Sequence, residues 1–385
     1  MLRKQIKTII SQLSSNNYQT LNRIELNKNN VLSNIKLIQT QHLNFGIIPV
    51  LKANAYGHGL EKMATILNNA DCKFLAVDGY FEAARIRDLT KHPILIMGYI
   101  KPENTALLDT VKCSFVVQDI DGLRAFGELR KPVRVHLELN TGMNRLGLSA
   151  TELPMYLQTI KKYPNLILEG VMTHLADADN ESDDSFTKHQ VKEFDFRVDE
   201  IKKSSFSPTY IHVAQTAGST KVQSNHANTI RLGIGLYGIN PLNKADNHYK
   251  DLKLLKPVLE LKSTIIKIIE LKKGDKVSYN GTYTAPGDIT IGVLPLGYYE
   301  GIPRELGNKG VVTRNKIELP IIGKICMNHT MVQLKGYDFQ VGDEVTVISK
   351  DPSQPNSVER ICNDHKLFNY YLITKLSSSI RRIIV

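Results

Sequence analysis

Lys52 closes the apolar run IIPVL at residues 47–51, where a lysine has no packing role. A lysine desolvated at the end of such a run has a lowered pKa, and its free amine can attack a carbonyl to form a Schiff base. The plainer reading is a lysine that snorkels from the rim of the fold with its charge in water. Position alone leaves both open. Other polar side chains stand at the ends of similar apolar, β-branched runs: Asp78, Tyr99, Gln118, Asn140 with Arg145 just beyond, His174, Gln215-Thr216, and Arg231 with Gly233. Eight runs ending in polar groups are hard to obtain from packing alone.

Other patterns are weaker. GIGLYG at 233–238 matches G-x-G-x-x-G, yet no helix is expected after it. A backbone N–H cradle for a phosphate is the better reading. Asp177-x-Asp179-x-Glu181 resembles the start of a calcium loop but lacks the sixth-position glycine, and Lys188 replaces the final glutamate. None of the eleven histidines forms an H-x-x-x-H pair, which argues against a zinc hydrolase; no metal is expected. The four cysteines (Cys72, Cys113, Cys326, Cys362) form no C-x-x-C pair and read as reduced thiols of a soluble cytoplasmic protein.

The elements that must position these residues follow from periodicity. Strand-like runs lie at 45–52, 74–78, 93–99, 113–117, 133–140, 166–175, 209–215 and 229–238, with helical stretches such as 58–70, 80–90 and 183–203 between them. Eight successive βα units predict an α/β fold with an N-terminal eight-stranded (β/α)8 TIM barrel, in which chemistry sits at the C-terminal strand ends. After residue 253 helices give way to successive strands over 257–348, punctuated by KKGD, PGD and VGD turns. The expected layout is therefore a barrel over 1–253 and a mostly antiparallel β domain over 254–385. A short helix is expected at 357–365.

Composition narrows the class. At 42% hydrophobic and 23% charged residues the chain is neither disordered nor fibrous. Its net charge of +11 is spread along the sequence, with the densest runs two residues long, so it does not mark a polyanion footprint. No tryptophan and 7% aromatics disfavour a base-stacking surface. No stretch reaches the ~20 apolar residues of a membrane helix, and residues 1–17 lack the apolar segment of a signal peptide. Neither nucleic acid nor membrane is an expected partner.

VLKANAYGHG (50–59) resembles the pyridoxal-phosphate lysine motif of the bacterial alanine racemases, which join an eight-stranded barrel to a C-terminal β domain. NTGMNRLG (140–147), GVMTHLADAD (170–179), IRLGIGLYG (230–238), KVSYNGTYTA (276–285), PLGYYEG (295–301), GKICMNHTMV (323–332) and NYYLITKLSS (369–378) follow in that family's order and spacing. The resemblance covers the chain from about residue 20. It implies the interconversion of L- and D-alanine, with D-alanine supplied to peptidoglycan and pyridoxal 5'-phosphate as cofactor. Lys52 then holds the cofactor as a Schiff base and serves as one base. Tyr56, Thr216, the backbone of Gly233 and Ile234, and Tyr370 cradle the phosphate. Arg231 faces the pyridine nitrogen and limits the ring as an electron sink, and Arg145 lies near the phenolate oxygen. The second base is Tyr279 from the partner subunit of a homodimer, its pKa lowered from ~10 with His174 as the tuning neighbour. Met327 holds the substrate carboxylate through its backbone N–H, while Tyr298 and Tyr370 narrow the access path.

The chain departs from the family pattern at several places. Glu138 stands where a lysine, often carbamylated, is usual, and is expected to supply a fixed negative charge that orients Arg145. Asn140 and Asn328 replace aspartates, Gln215-Thr216 replaces Asn-Ser, and Glu300 replaces an aspartate. A racemase of broader amino-acid range remains open. A same-barrel amino-acid decarboxylase would carry an acidic group at the pyridine nitrogen and a cysteine donor in the β domain, against which Arg231 and Tyr279 argue. A non-catalytic cofactor-carrier barrel would lack the second domain.

Overall fold

The computed structural model describes residues 19–336 and 338–385; the expectation about residues 1–17 lies outside them. The chain divides into two compact units. One is Leu26–Leu259 with Ile384–Val385; the other is Glu260–Ile383 with the described residues up to Glu25.

Strand β1 (Arg23–Leu26) precedes eight barrel strands: β2 (Gly46–Pro49), β3 (Leu75–Val77), β4 (Ile94–Ile96), β5 (Cys113–Val117), β6 (Val133–Glu138), β7 (Leu166–Met172), β8 (Tyr210–His212) and β9 (Thr229–Leu232). They pair in the order β2-β9-β8-β7-β6-β5-β4-β3, all parallel. A further parallel bridge, Val50 to Ala76, joins the two ends and closes the barrel. Barrel strands are covered on both faces, so they read as continuous apolar runs; every residue of β5, CSFVV, is buried. Ile48, Val50, Phe74, Ala76, Leu95, Val116 and Met172 form the interior cluster.

Helices flank most of these strands: α1 (Lys28–Gln41), α2 (Leu60–Leu67), α3 (Tyr80–Ile86), α4 (Ile120–Gly127), α5 (Leu153–Lys162) and α6 (Ser185–Lys203). However, β4 to β5 and β8 to β9 are joined through 3-10 turns only, so the eight expected βα units are not all complete. Asn27 caps α1 by accepting the Asn30 N–H, and Asp119 caps α4 by accepting that of Gly122; such caps satisfy amides that a helix start leaves unpaired. The long α6 begins within two residues of its expected start and ends at Lys203, as expected.

The second unit carries β10 (Leu259–Thr264), β11 (Lys267–Leu271), β12 (Lys276–Val277), β13 (Tyr283–Thr284), β14 (Ile289–Leu294), β15 (Val311–Arg314), β16 (Ile317–Pro320), β17 (Thr330–Gln333), β18 (Glu344–Ile348) and β19 (Arg381–Ile384), with helices α7 (Val358–His365) and α8 (Asn369–Thr374). They form sheets ordered β16-β15-β18-β10-β1-β19, β11-β14-β17 and β12-β13. The run 257–271, which carries no turn signal, is two strands. Ile265 N–H donates to Asp343 O while Ile266 N–H donates to Val293 O, so neighbouring residues join different sheets. The division also falls between Leu259 and Glu260 rather than after residue 253, and the N-terminal strand β1 serves the sheet of the second unit.

Candidate active site

Lys52 follows the fully buried Leu51 directly after β2 and opens a turn of unusual hand. Ala53, Asn54, Ala55 and Tyr56 all have φ between 51° and 55°, and Gly57 follows at φ 82°. Left-handed helical backbone costs an L-residue roughly 1–2 kcal/mol, so four in succession persist only where the surroundings over-determine them. Here they do. Ala55 N–H donates to Leu51 O at 2.7 Å, Gly57 N–H to Ala53 O at 3.1 Å, and the Asn54 side chain accepts the Leu60 N–H at 3.0 Å. Glu82 on α3 accepts both the Asn54 N–H (3.4 Å) and the Asp78 N–H (2.9 Å). The Tyr56 ring leans on Tyr237, whose hydroxyl donates to Val50 O.

Arg231, on β9 and 3% exposed, is the electrostatic centre of the barrel end. One of its terminal nitrogens donates to His212 Nδ1 (3.0 Å) and His212 O (2.6 Å); the other reaches Thr173 O, Val213 O and, at 3.4 Å, His174 Nδ1. Its Nε–H meets no protein acceptor among the described residues. A guanidinium only donates, so His212 Nδ1 accepts and its Nε2–H donates onward to His136 Nδ1 at 2.9 Å. His136 Nε2–H then donates to Glu169 Oε2 at 3.2 Å, which also takes the Ser114 hydroxyl. One guanidinium thereby sets the tautomers of two buried histidines in series. Burial lowers the pKa of both, so each is neutral. Sequence reasoning missed this chain of partners, although histidines inside the apolar runs VRVHLE and YIH were its visible signal.

Burial, with Arg231, Arg145 and Lys52 nearby, lowers His174 to about 3. Burial also brings Arg231 down to about 10, still protonated at neutral pH. Glu138, at the end of β6 and 6% exposed, feels the same three cations, but burial dominates and raises its pKa. Lys52, Glu138, Arg145, His174 and Arg231 thus form one interacting group. Glu138 and Arg145 form no direct ion pair among the described residues, although Arg145 is near enough to act on the carboxylate. Arg145 is exposed, and Arg231 is the strongest cation acting on Glu138. Asn140 shapes the loop that carries Arg145 by accepting the Gly142 and Asn144 N–H groups. Asp78 and Tyr99 lie exposed at the rim and join none of this.

GIGLYG forms a single 3-10 turn, Ile234–Tyr237. The buried N–H groups of Gly233 and Ile234 meet no protein acceptor among the described residues. A side chain at Gly233 would come within 3.1 Å of the Tyr56 hydroxyl, and one at Gly235 within 2.6 Å of Thr216. Thr216 Oγ1 accepts the Gly235 N–H. Tyr56, Thr216, Gly233 and Ile234 are therefore neighbours around unspent donors. At the acidic loop one cation is engaged: Lys221 Nζ pairs with Asp184 and Asp246 and donates to Asn180 O. Among the described residues no three His, Cys, Asp or Glu side chains gather as metal ligands, and no helix is long and apolar enough to cross a membrane.

In the second unit Tyr279 is 67% exposed and follows Ser278, whose φ of 65° is strained for a residue other than glycine. The Ser278 hydroxyl donates to Lys324 O at 2.6 Å and anchors that turn. Met327 is 55% exposed and Tyr298 41%. Tyr298 N–H donates to Cys326 O and Tyr299 N–H to Met327 O, both at 3.0 Å. Tyr370, half-buried, stacks on Phe368.

Two family profiles match: "Alanine racemase, N-terminal domain" over residues 26–241 and "Alanine racemase, C-terminal domain" over 258–384. The chain is 32% identical over 378 residues to the alanine racemase of Staphylococcus saprophyticus, covering 96% of each. Its fold is similar to that of alanine racemase from Bacillus anthracis with bound L-Ala-P, at 27% identity and a TM-score of 0.86, covering 96% of each chain. It is also similar to alanine racemase from Bartonella henselae with covalently bound pyridoxal phosphate, at 22% identity and a TM-score of 0.81, covering 95% of this chain and 100% of that one.

Proposed function

The chain belongs to the alanine racemase family, and on that premise we propose how its own residues interconvert L- and D-alanine. The observation that carries the reading is the single group of Lys52, Arg231 and His174 at one end of the barrel, beside unspent backbone donors. Pyridoxal 5'-phosphate fits the donor set. The Gly233 and Ile234 N–H groups with Tyr56 and Thr216 suit a phosphate, and the free Arg231 Nε–H suits a pyridine nitrogen. Tyr370 joins the phosphate cradle. When bound, the cofactor supplies an electron sink that acidifies the α-hydrogen of an attached amino acid.

Lys52 would hold the cofactor through its Nζ, and the same amine would carry a proton on one face of the substrate. Tyr279 of the partner subunit holds a proton at its phenol oxygen on the other face, so the active form is a homodimer with shared sites. His174, neutral at working pH, accepts a hydrogen bond without competing as a cation, and Arg231 keeps it in place. Arg231, still protonated at neutral pH, would face the pyridine nitrogen as a donor that keeps its proton, and so would limit the electron sink the cofactor supplies. Arg145 steadies the ring oxygen, with Glu138 balancing the local positive charge. The Met327 N–H receives the substrate carboxylate, and Tyr298 with Tyr370 leaves room for a methyl side chain. Four free thiols suit a reducing cytoplasm.

The test is interconversion of enantiomers over a panel of amino acids with holoenzyme and its Lys52→Ala variant. Alanine is expected to react fastest, and the variant to lose the cofactor's bound absorbance and all turnover. Undiminished racemisation by Lys52→Ala without added amine overturns the assignment.

A further inference from the structure

Resting on the reading that the Met327 N–H receives the substrate carboxylate, we propose that Glu300 and Asn328 act as a pair of positioning residues that aim this N–H. A peptide unit is planar and trans, so its C=O and N–H point in opposite directions. The carbonyl partner of the Met327 N–H is Cys326 O, and Tyr298 N–H holds that oxygen at 3.0 Å. The Met327 N–H is thereby turned away from the 297–301 loop, and it meets no protein acceptor among the described residues. Its direction is only as fixed as that loop.

Glu300 fixes the loop. The residue is 9% exposed, and each carboxylate oxygen has one donor: Gly297 N–H to Oε2 at 2.7 Å and Asn328 Nδ2 to Oε1 at 2.8 Å. No cation pairs with it among the described residues, so neutral donors alone satisfy a buried carboxylate, and losing either leaves an oxygen stranded. The first bond tightens the turn that presents Tyr298 N–H. The second ties that turn to the residue following Met327. The two loops have no slack, since a side chain at Gly297 would sit 2.1 Å from Cys326 O and 2.6 Å from Met327 O. Glu300 and Asn328, two separate departures in sequence, are one brace in space.

Asn328→Asp replaces the donor with a second carboxylate facing Glu300. Two such groups in contact share one proton and cannot both ionise. Above the pH at which that proton leaves, KM for alanine is expected to rise about tenfold or more, with kcat changing less. Glu300→Gln combined with Asn328→Asp restores both bonds: the new amide oxygen accepts from Gly297 N–H, and its NH2 donates to the aspartate. This double variant is expected to return KM to within about threefold of the parent and to abolish the added pH dependence. Propionate, a three-carbon carboxylate without the reacting amine, is the second probe, and its dissociation constant should follow KM. A parent holoenzyme that does not racemise alanine overturns the functional reading itself. A parent that does, with Asn328→Asp unchanged in KM and propionate affinity between about pH 6 and 9, overturns the brace. So does a double variant no better than the single one.

Discussion

His174, His136 and His212 are all held neutral by burial, and this ties stability to pH. Their folded pKa values lie below the ordinary histidine value, with His174 at about 3. Below pH ~6.5 the unfolded chain takes up protons that the folded chain refuses, so stability rises with pH in that window and is lost as pH falls toward 3. Urea unfolding between those limits should show this slope, and His174→Asn should flatten it by up to one proton. An unchanged slope counts against a neutral buried His174. Tyr279 is the opposite case, an exposed phenol on a strained turn. Under the proposed two-base scheme, Tyr279→Phe should suppress α-proton exchange from one enantiomer far more than from the other, because that scheme then loses one of its bases. Deuterium washout from each enantiomer measures it, and equal suppression would argue for a single base.

Strands and turns are built around close approaches that only glycine permits. On β7, a side chain at Gly170 would lie 2.3 Å from His136 Nδ1, the atom that accepts from His212. Gly170→Ala therefore pushes the His136 ring off His212 and unsettles the acceptor behind Arg231. Overpacking of this kind costs about 1–3 kcal/mol, read as a lowered Tm. The cofactor's affinity should fall with it, because Arg231 loses its aligned partner. A variant with unchanged Tm and affinity would show that the histidine series is not required. Arg231 and Lys52 thus depend on devices of the same kind, a bare backbone in one case and a left-handed turn bolted by Glu82 in the other.

At the scale of the whole molecule, the proposed pairing of Lys52 with Tyr279 of the partner subunit makes activity a property of the assembly. Mixing a Lys52→Ala chain with a Tyr279→Phe chain should recover activity from two inactive parents, since one of the two composite sites in a heterodimer keeps both bases. Heterodimers shown to form yet remaining inactive would reject the shared site. The recovered rate should approach half of the wild-type rate per heterodimer if the two sites act independently.

The eight barrel strands were legible because a strand covered on both faces must be apolar throughout, and each such run ends where polarity returns. That rule located Lys52, His174 and Thr216 just past strand ends with no coordinates, whereas Arg231 lies inside β9. The β domain was legible as strands but not as sheets. Periodicity marks that a segment is extended, not which neighbour accepts its hydrogen bonds, so the switch of sheets at Ile265-Ile266 was invisible. For the same reason β1 was not expected beside β10. Glu138 and Arg145 stand seven residues apart, yet no ion pair joins them among the described residues, and Arg231, far off in sequence, acts on the carboxylate more strongly. His136 with His212, and Glu300 with Asn328, are 76 and 28 residues apart. Local chemistry selects residue type and backbone state, whereas hydrogen-bond partners are chosen by proximity across the folded chain, which only the tertiary structure decides.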